Sequence, residues 1–168
     1  MHLKELLREE LIIVDLKPAA HVVHPDEDGE VTARSQDKWK TIETLVDVLV
    51  KAQEIDSQDK GELLEALYER ERKMTTGIEN GVAIPHAASD VVKQITAAFG
   101  ICKSGLDFQS IDGKLTYLIV LLVYPHIALQ EHIKTLASVA NLLNDEMIRK
   151  KLRNCQNSKE ALQIIQRE

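Results

Sequence analysis

The sequence predicts an α/β fold, a single mixed β-sheet flanked by helices, on three observations. Apolar residues return every three or four positions toward both ends of the chain, apolar runs of strand length fill its middle, and two of those runs are apolar on both faces. Helices, then strands, then helices imply a sandwich with the sheet between helical layers.

Taken in order, Leu3, Leu6 and Leu7 share a helical face and Leu11-Ile12-Ile13-Val14 has strand character, so a short helix feeds a strand. From Pro18 to Gln36 the composition turns to Pro, His, Asp, Gly and Ser, with Pro25-Asp26-Glu27-Asp28-Gly29 as a strong turn signal, and an exposed loop or hairpin is expected over 18–36. Asp37 is positioned to cap a helix whose stripe is Trp39, Ile42, Leu45, Val46, Leu49 and Val50. Asp59 and Glu62 have capping-box spacing ahead of Leu63, Leu64 and Leu67, in a helix ending near Lys73. Strands are expected at Val82 to Ile84, Ile95 to Cys102 and Tyr117 to Val123. Helical spacing then returns through Ile133, Leu136, Val139, Ala140 and Leu143, continues through Met147, Ile148 and Leu152, and resumes at Leu162, Ile164 and Ile165 after a cap at Ser158.

A length of 168 residues suits one core of ordinary size, so residues 1–168 are read as a single domain. With 21 Lys plus Arg against 27 Asp plus Glu, the net charge of −6 argues against a nucleic-acid partner held by a basic face. The N-terminus interleaves charge with leucine and lacks a signal-peptide core, and Leu118 to Val123 is too short to cross a bilayer, so no direct membrane insertion and a cytoplasmic location are expected. The two cysteines, Cys102 and Cys155, lack the spacing of a zinc site, and neither a metal nor another cofactor is expected.

The chemistry concentrates between Arg70 and Ala87. A helix end carrying Arg70, Arg72 and Lys73 runs into Thr75-Thr76-Gly77, a loop to Gly81, and an apolar strand closed by Pro85-His86. Pro85 has no N–H and restrains Ile84 to an extended backbone, so the strand is expected to end there with His86 at its rim. A neutral imidazole has a free ring nitrogen near pH 7 and attacks a phosphoryl group without a metal. Its transfer needs cations, hydroxyls and backbone N–H groups around the phosphoryl oxygens, which Arg70, Thr75, Thr76, Gly77, Asn80 and Gly81 offer as a cradle.

Arg70-Glu71, then Thr75-Thr76-Gly77-Ile78, then Gly81-Val82-Ala83-Ile84-Pro85-His86 resembles the signature of the fructose/mannitol-class IIA domains of the bacterial phosphoenolpyruvate-dependent phosphotransferase system, a family that includes stand-alone nitrogen-regulatory IIA proteins. Downstream, Leu106-Asp107-Phe108, Ile111-Asp112-Gly113, Pro125 and Glu131-His132-Ile133-Lys134-Thr135-Leu136 extend the resemblance, which runs from about Lys38 to the C-terminus. It implies a mannitol-class IIA-like sandwich and a phosphocarrier. His86 would accept the phosphoryl group, His132 would stabilise it, and Arg70 would contact it. The donor would be the histidine-containing carrier protein HPr or its nitrogen-branch counterpart, and the acceptor a IIB component or a regulated target protein. The chain departs from the family pattern at Glu79, where Gly77-Ile78-Glu79-Asn80-Gly81 stands for a common Gly-Ile-Gly-x-Gly, and at Ala87, where a glycine often follows the histidine. Glu79 would repel the phosphoryl dianion if it pointed inward.

Rival readings are a metal site built from His86, His132 and His126 or Asp112, a thiolate acceptor at Cys102, and a regulatory binding protein with no onward transfer.

Overall fold

Strands form where the apolar runs stand, and helices where the stripes do. The structure is a computed structural model that describes the backbone of residues 1–18 and 31–168 and the side chains of residues 1–18 and 36–168. The elements in chain order are α1 (Leu3–Leu6), β1 (Ile12–Ile13), α2 (Val31–Lys51), α3 (Lys60–Lys73), β2 (Val82–Ala83), β3 (His86–Ala88), β4 (Thr96–Leu106), β5 (Thr116–Tyr124), α4 (Leu129–Asn144), α5 (Glu146–Asn154) and α6 (Ser158–Gln166).

β1 lies parallel to β4, β4 runs antiparallel to β5, and both β2 and β3 lie parallel to β5. This is the mixed sheet expected, in the order β1-β4-β5-β2 with β3 further along the same side of β5. Thr96–Cys102 and Leu118–Val123 are buried throughout, which requires cover on both faces of the sheet. α2 packs on β4 and α3, α3 on β3, α5 on β4 and β5, and α6 on β1. Leu3, Leu7 and Leu11 join Ile42, Leu45, Phe99, Leu121 and Leu152 in one apolar cluster, so the first helix and strand belong to the same core as the rest.

Several boundaries differ from expectation. α2 begins at Val31, so Asp37 is a buried residue within a helix rather than its cap, and 31–36 is helical instead of loop. The rest of the expected loop, residues 19–30, lies outside the described residues. Asp59 makes no capping bond, because a 3-10 turn at Ser57–Asp59 leads directly into α3. Asn157 caps α6 by accepting from the Glu160 N–H, while the Ser158 hydroxyl donates to the Ile12 carbonyl at 2.9 Å. Asp145 accepts from the N–H groups of Met147 and Ile148, which ends the C-terminal stripe as one helix and starts another.

The strand expected to stop at Pro85 resumes immediately as β3. Val82 pairs with Leu118 and His86 with Leu122, an advance of four residues on each strand, so the register is kept across the proline. His86 is therefore the first residue of a paired strand rather than a free rim residue.

Candidate functional site

The ring of His86 is half-buried, and its Nδ1 lies 2.8 Å from the carbonyl oxygen of Ile84. A carbonyl only accepts, so Nδ1 carries the proton and the lone pair resides on Nε2. Burial pushes the His86 pKa below its ordinary value, outweighing the upward effect of the Ile84 hydrogen bond, with lesser contributions downward from the Arg70 charge and upward from Glu71. The imidazole is thus neutral near pH 7, with Nε2 as a nucleophile.

The Ile84 carbonyl is available to His86 for a traceable reason. Residues Thr76–Ile78 run antiparallel to Val82–Ile84, with Ile78 N–H donating to Val82 and Ile84 N–H donating to Thr76. In that pattern the Thr76 N–H would return to the Ile84 carbonyl. Instead it donates to Glu71 Oε1 at 2.8 Å, and the Thr76 hydroxyl donates to Glu71 Oε2 at 2.6 Å. Glu71 is buried on the Leu63, Leu67 stripe of α3 and is paired with the equally buried Lys38, whose Nζ lies 3.0 Å from Oε1. Lys38 also donates to the Thr75 hydroxyl, which in turn donates to the Phe108 carbonyl.

His132 sits in the first turns of α4, 3% exposed, and stacks on Tyr124 with ring centroids 3.7 Å apart and planes 9° apart. Its ring centroid is 5.1 Å from that of His86. Burial, with a smaller effect from His86, lowers its pKa to about 4, so it too is neutral. Its Nδ1 is shut off from solvent and has no hydrogen-bond partner. Placing the proton on Nε2 leaves that buried atom a bare lone pair rather than a stranded N–H, and gives the site a donor.

Arg70, near the end of α3, donates from Nη1 to the Met74 carbonyl at 2.9 Å, and no carboxylate pairs with it among the described residues. α3 packs on β3, and the Arg70 charge is close enough to the His86 ring to lower its pKa. An unneutralised guanidinium, a nucleophilic imidazole nitrogen and an imidazole N–H thus share one rim, a set suited to an incoming phosphoryl group.

The expected cradle does not gather there. Thr75 and Thr76 are adjacent to the site, but their hydroxyls are taken up by Phe108 and Glu71, and the Gly77 N–H donates to Thr75 Oγ1. Asn80 and Gly81 lie at the other end of β2, where the Gly81 carbonyl accepts from Tyr117 and Leu118. His86 pairs four residues further along β5, about 13 Å away at roughly 3.3 Å per residue. Gly81 is required instead by Tyr117: its φ is +75° and an added Cβ would stand 2.8 Å from the Tyr117 ring. Glu79 is exposed beside Asn80 at that same far end, so it sets no carboxylate against His86.

The rival constellations separate likewise. Asp112 accepts from the Asn80 and Lys114 N–H groups in the distant turn, His126 pairs with Asp90 at 3.1 Å, and Cys102 is fully buried in β4.

Sequence reasoning missed Lys38, Glu71 and Tyr124. The first two carried a signal: Lys38 precedes Ile42 by four and Glu71 follows Leu67 by four, which puts a charge on each apolar stripe. Tyr124 gave none.

A model of the family described as phosphoenolpyruvate-dependent sugar phosphotransferase system, EIIA 2, matches residues 27–168. The chain belongs to that family. It is 35% identical over 128 residues to the PTS system fructose-specific EIIA component of Haloferax volcanii, covering 76% of this chain and 81% of that one. Its fold matches the crystal structure of the nitrogen regulatory protein IIA-Ntr from Neisseria meningitidis at a TM-score of 0.78 and 27% identity, over 96% and 97% of the two chains. IIA mannitol from Escherichia coli shares the fold at a TM-score of 0.71 and 21% identity, over 95% and 98%. The IIA sandwich expected from the sequence is the one found. Among the described residues no helix of this EIIA chain is long and apolar enough to cross a membrane.

Proposed function

We propose that this EIIA chain is a cytoplasmic phosphocarrier in which His86 Nε2 accepts a phosphoryl group from an HPr-type phosphohistidine protein. The observation that carries the reading is the hydrogen bond from His86 Nδ1 to Ile84, which leaves Nε2 as the lone-pair nitrogen at a rim holding Arg70 and His132. As the donor's P–N bond breaks and the bond to Nε2 forms, Arg70 balances the phosphoryl charge and the His132 N–H donates to an oxygen. Thr75 and Thr76 act behind the site, fixing the backbone rather than touching phosphate. Met74, Ile127, Leu129 and Ile133 are exposed apolar residues on the segments that carry the site, which favours a protein over a free metabolite as donor and acceptor.

The phosphoryl group then passes to a IIB component or is held as a signal that changes which protein the chain binds. Both outcomes have relatives, a fructose-specific EIIA component and a nitrogen regulatory protein. The shared core of α1, β1 and the later elements supports one domain over 1–168.

The test is incubation with phosphoenolpyruvate, enzyme I and HPr, followed by intact-mass measurement. One acid-labile phosphoryl adduct is expected, absent in His86→Ala. No adduct, or one that survives His86→Ala, refutes the reading. His132→Ala is expected to accept phosphate but to release it poorly to a IIB protein.

A further inference from the structure

At the end of the sheet away from His86, a cleft of about 610 Å³ opens between the Asn80 turn, Lys103 of β4 and one face of α5. Glu146, Arg149, Lys150 and Arg153 stand at helical spacings of three and four, so they form one stripe along that face. Four cations and one carboxylate line the cleft of a chain whose net charge is −6. Among the described residues none of the four cations has a carboxylate within ion-pair distance. Arg149 and Arg153, four apart, instead repel each other.

Two of these cations are held in place by the fold. Arg149 Nη1 donates to the carbonyls of Leu143 and Asn144, at 2.9 and 2.6 Å. The Arg153 guanidinium lies 3.5 Å from the centre of the Tyr117 ring. That ring is itself seated against two glycines of positive φ, Gly81 and Gly105, where a Cβ would come within 2.8 and 2.9 Å of it. Two backbone positions are thereby restricted to glycine so that a tyrosine can support an arginine. The ordering entropy of both guanidiniums is spent before any ligand arrives.

We infer that this cleft is a second anion site, separate from the phosphotransfer rim, that takes a small phosphorylated molecule carrying at least two negative charges. The volume suits a small molecule, the two fixed guanidiniums match the paired oxygens of phosphate, and Lys103 and Lys150 add charge without fixing geometry. An acidic protein segment is the competing occupant. It would require an open surface rather than a cleft walled by a turn, a strand and a helix.

The test is a titration of the full-length protein with inorganic pyrophosphate, followed by amide NMR at about 0.1 M salt, where unspecific attraction is screened. Saturable shifts at Lys103 and across 146–154 are expected. Lys103→Gln/Lys150→Gln, two exposed side chains with no hydrogen-bond or ion-pair partner among the described residues, should weaken binding by about tenfold or more. Phosphorylation of His86 in that variant should be unchanged, which separates this site from the carrier reading. Shifts confined to Arg70, His86 and His132, an equal response to sulfate, or affinity unaltered by the double substitution would each overturn the inference. So would saturation by a short poly-glutamate peptide but not by pyrophosphate.

Discussion

The Lys38–Glu71 pair bears on both stability and the tautomer of His86. Both side chains are almost wholly buried, and Nζ and Oε1 are 3.0 Å apart. Lys38→Met strands the Glu71 carboxylate with two Thr76 donors but no countercharge, and removal of one partner of a buried pair costs about 3–5 kcal/mol. That is a large share of the roughly 5–15 kcal/mol that stabilises a domain. Urea denaturation followed by circular dichroism should show the midpoint fall with little change in slope. Lys38→Met/Glu71→Met should lose much less than the two singles added together, since the double change leaves no buried charge. A second readout follows from the backbone. Without the carboxylate, the Thr76 N–H turns to the Ile84 carbonyl and competes with His86 Nδ1–H, so 15N spectra of the Glu71→Met ring should show loss of the Nδ1-protonated form. Single variants costing under about 1 kcal/mol, as an exposed pair would, or strict additivity, would refute the reasoning.

Acid sensitivity should trace in part to His132. Its folded pKa of about 4 lies below the unfolded value near 6.5, so between the two the unfolded chain binds more protons and stability declines as pH falls. The contribution reaches about 3 kcal/mol at roughly 1.4 kcal/mol per pH unit; His132→Phe should flatten the profile measured by urea midpoints, and an unchanged slope would contradict it. Gly81→Ala should lower Tm more than Gly113→Ala, because both sites have positive φ but only at Gly81 does a Cβ meet Tyr117, whereas Gly113 faces open space; a strained φ alone costs about 1–2 kcal/mol. Arg70→Lys should slow phosphorylation of His86 without altering the melting curve, since among the described residues Arg70 makes only the Met74 hydrogen bond; an unchanged rate in a stopped-flow assay would remove its assigned role.

The sheet was readable because Ala97–Cys102 and Leu118–Val123 hold no polar side chain that needs a hydrogen-bond partner, which few structures but a doubly covered strand accommodate. β3 was not, since His86-Ala87-Ala88 has weak strand character and is paired only because β5 extends past Pro85. The same contrast divides the site. His86, Arg70 and His132 could be singled out because order along the chain and the family resemblance mark them, and the two imidazoles do stand 5.1 Å apart. The cradle was misplaced because Thr and Gly advertise hydrogen-bonding capacity without saying where it is used. The Thr76 hydroxyl is claimed by a glutamate that looks like an ordinary helix charge, and Gly81 is explained by a tyrosine thirty-six positions later.

Tyr124 closes β5 two residues after Leu122, the partner of His86, and carries the His132 ring on its face. One strand therefore acts as the ruler for both imidazoles. The step from Leu122 to Tyr124 brings the strand partner of His86 and the ring that carries His132 to the same end of the sheet, so a change at either position would be felt by both imidazoles.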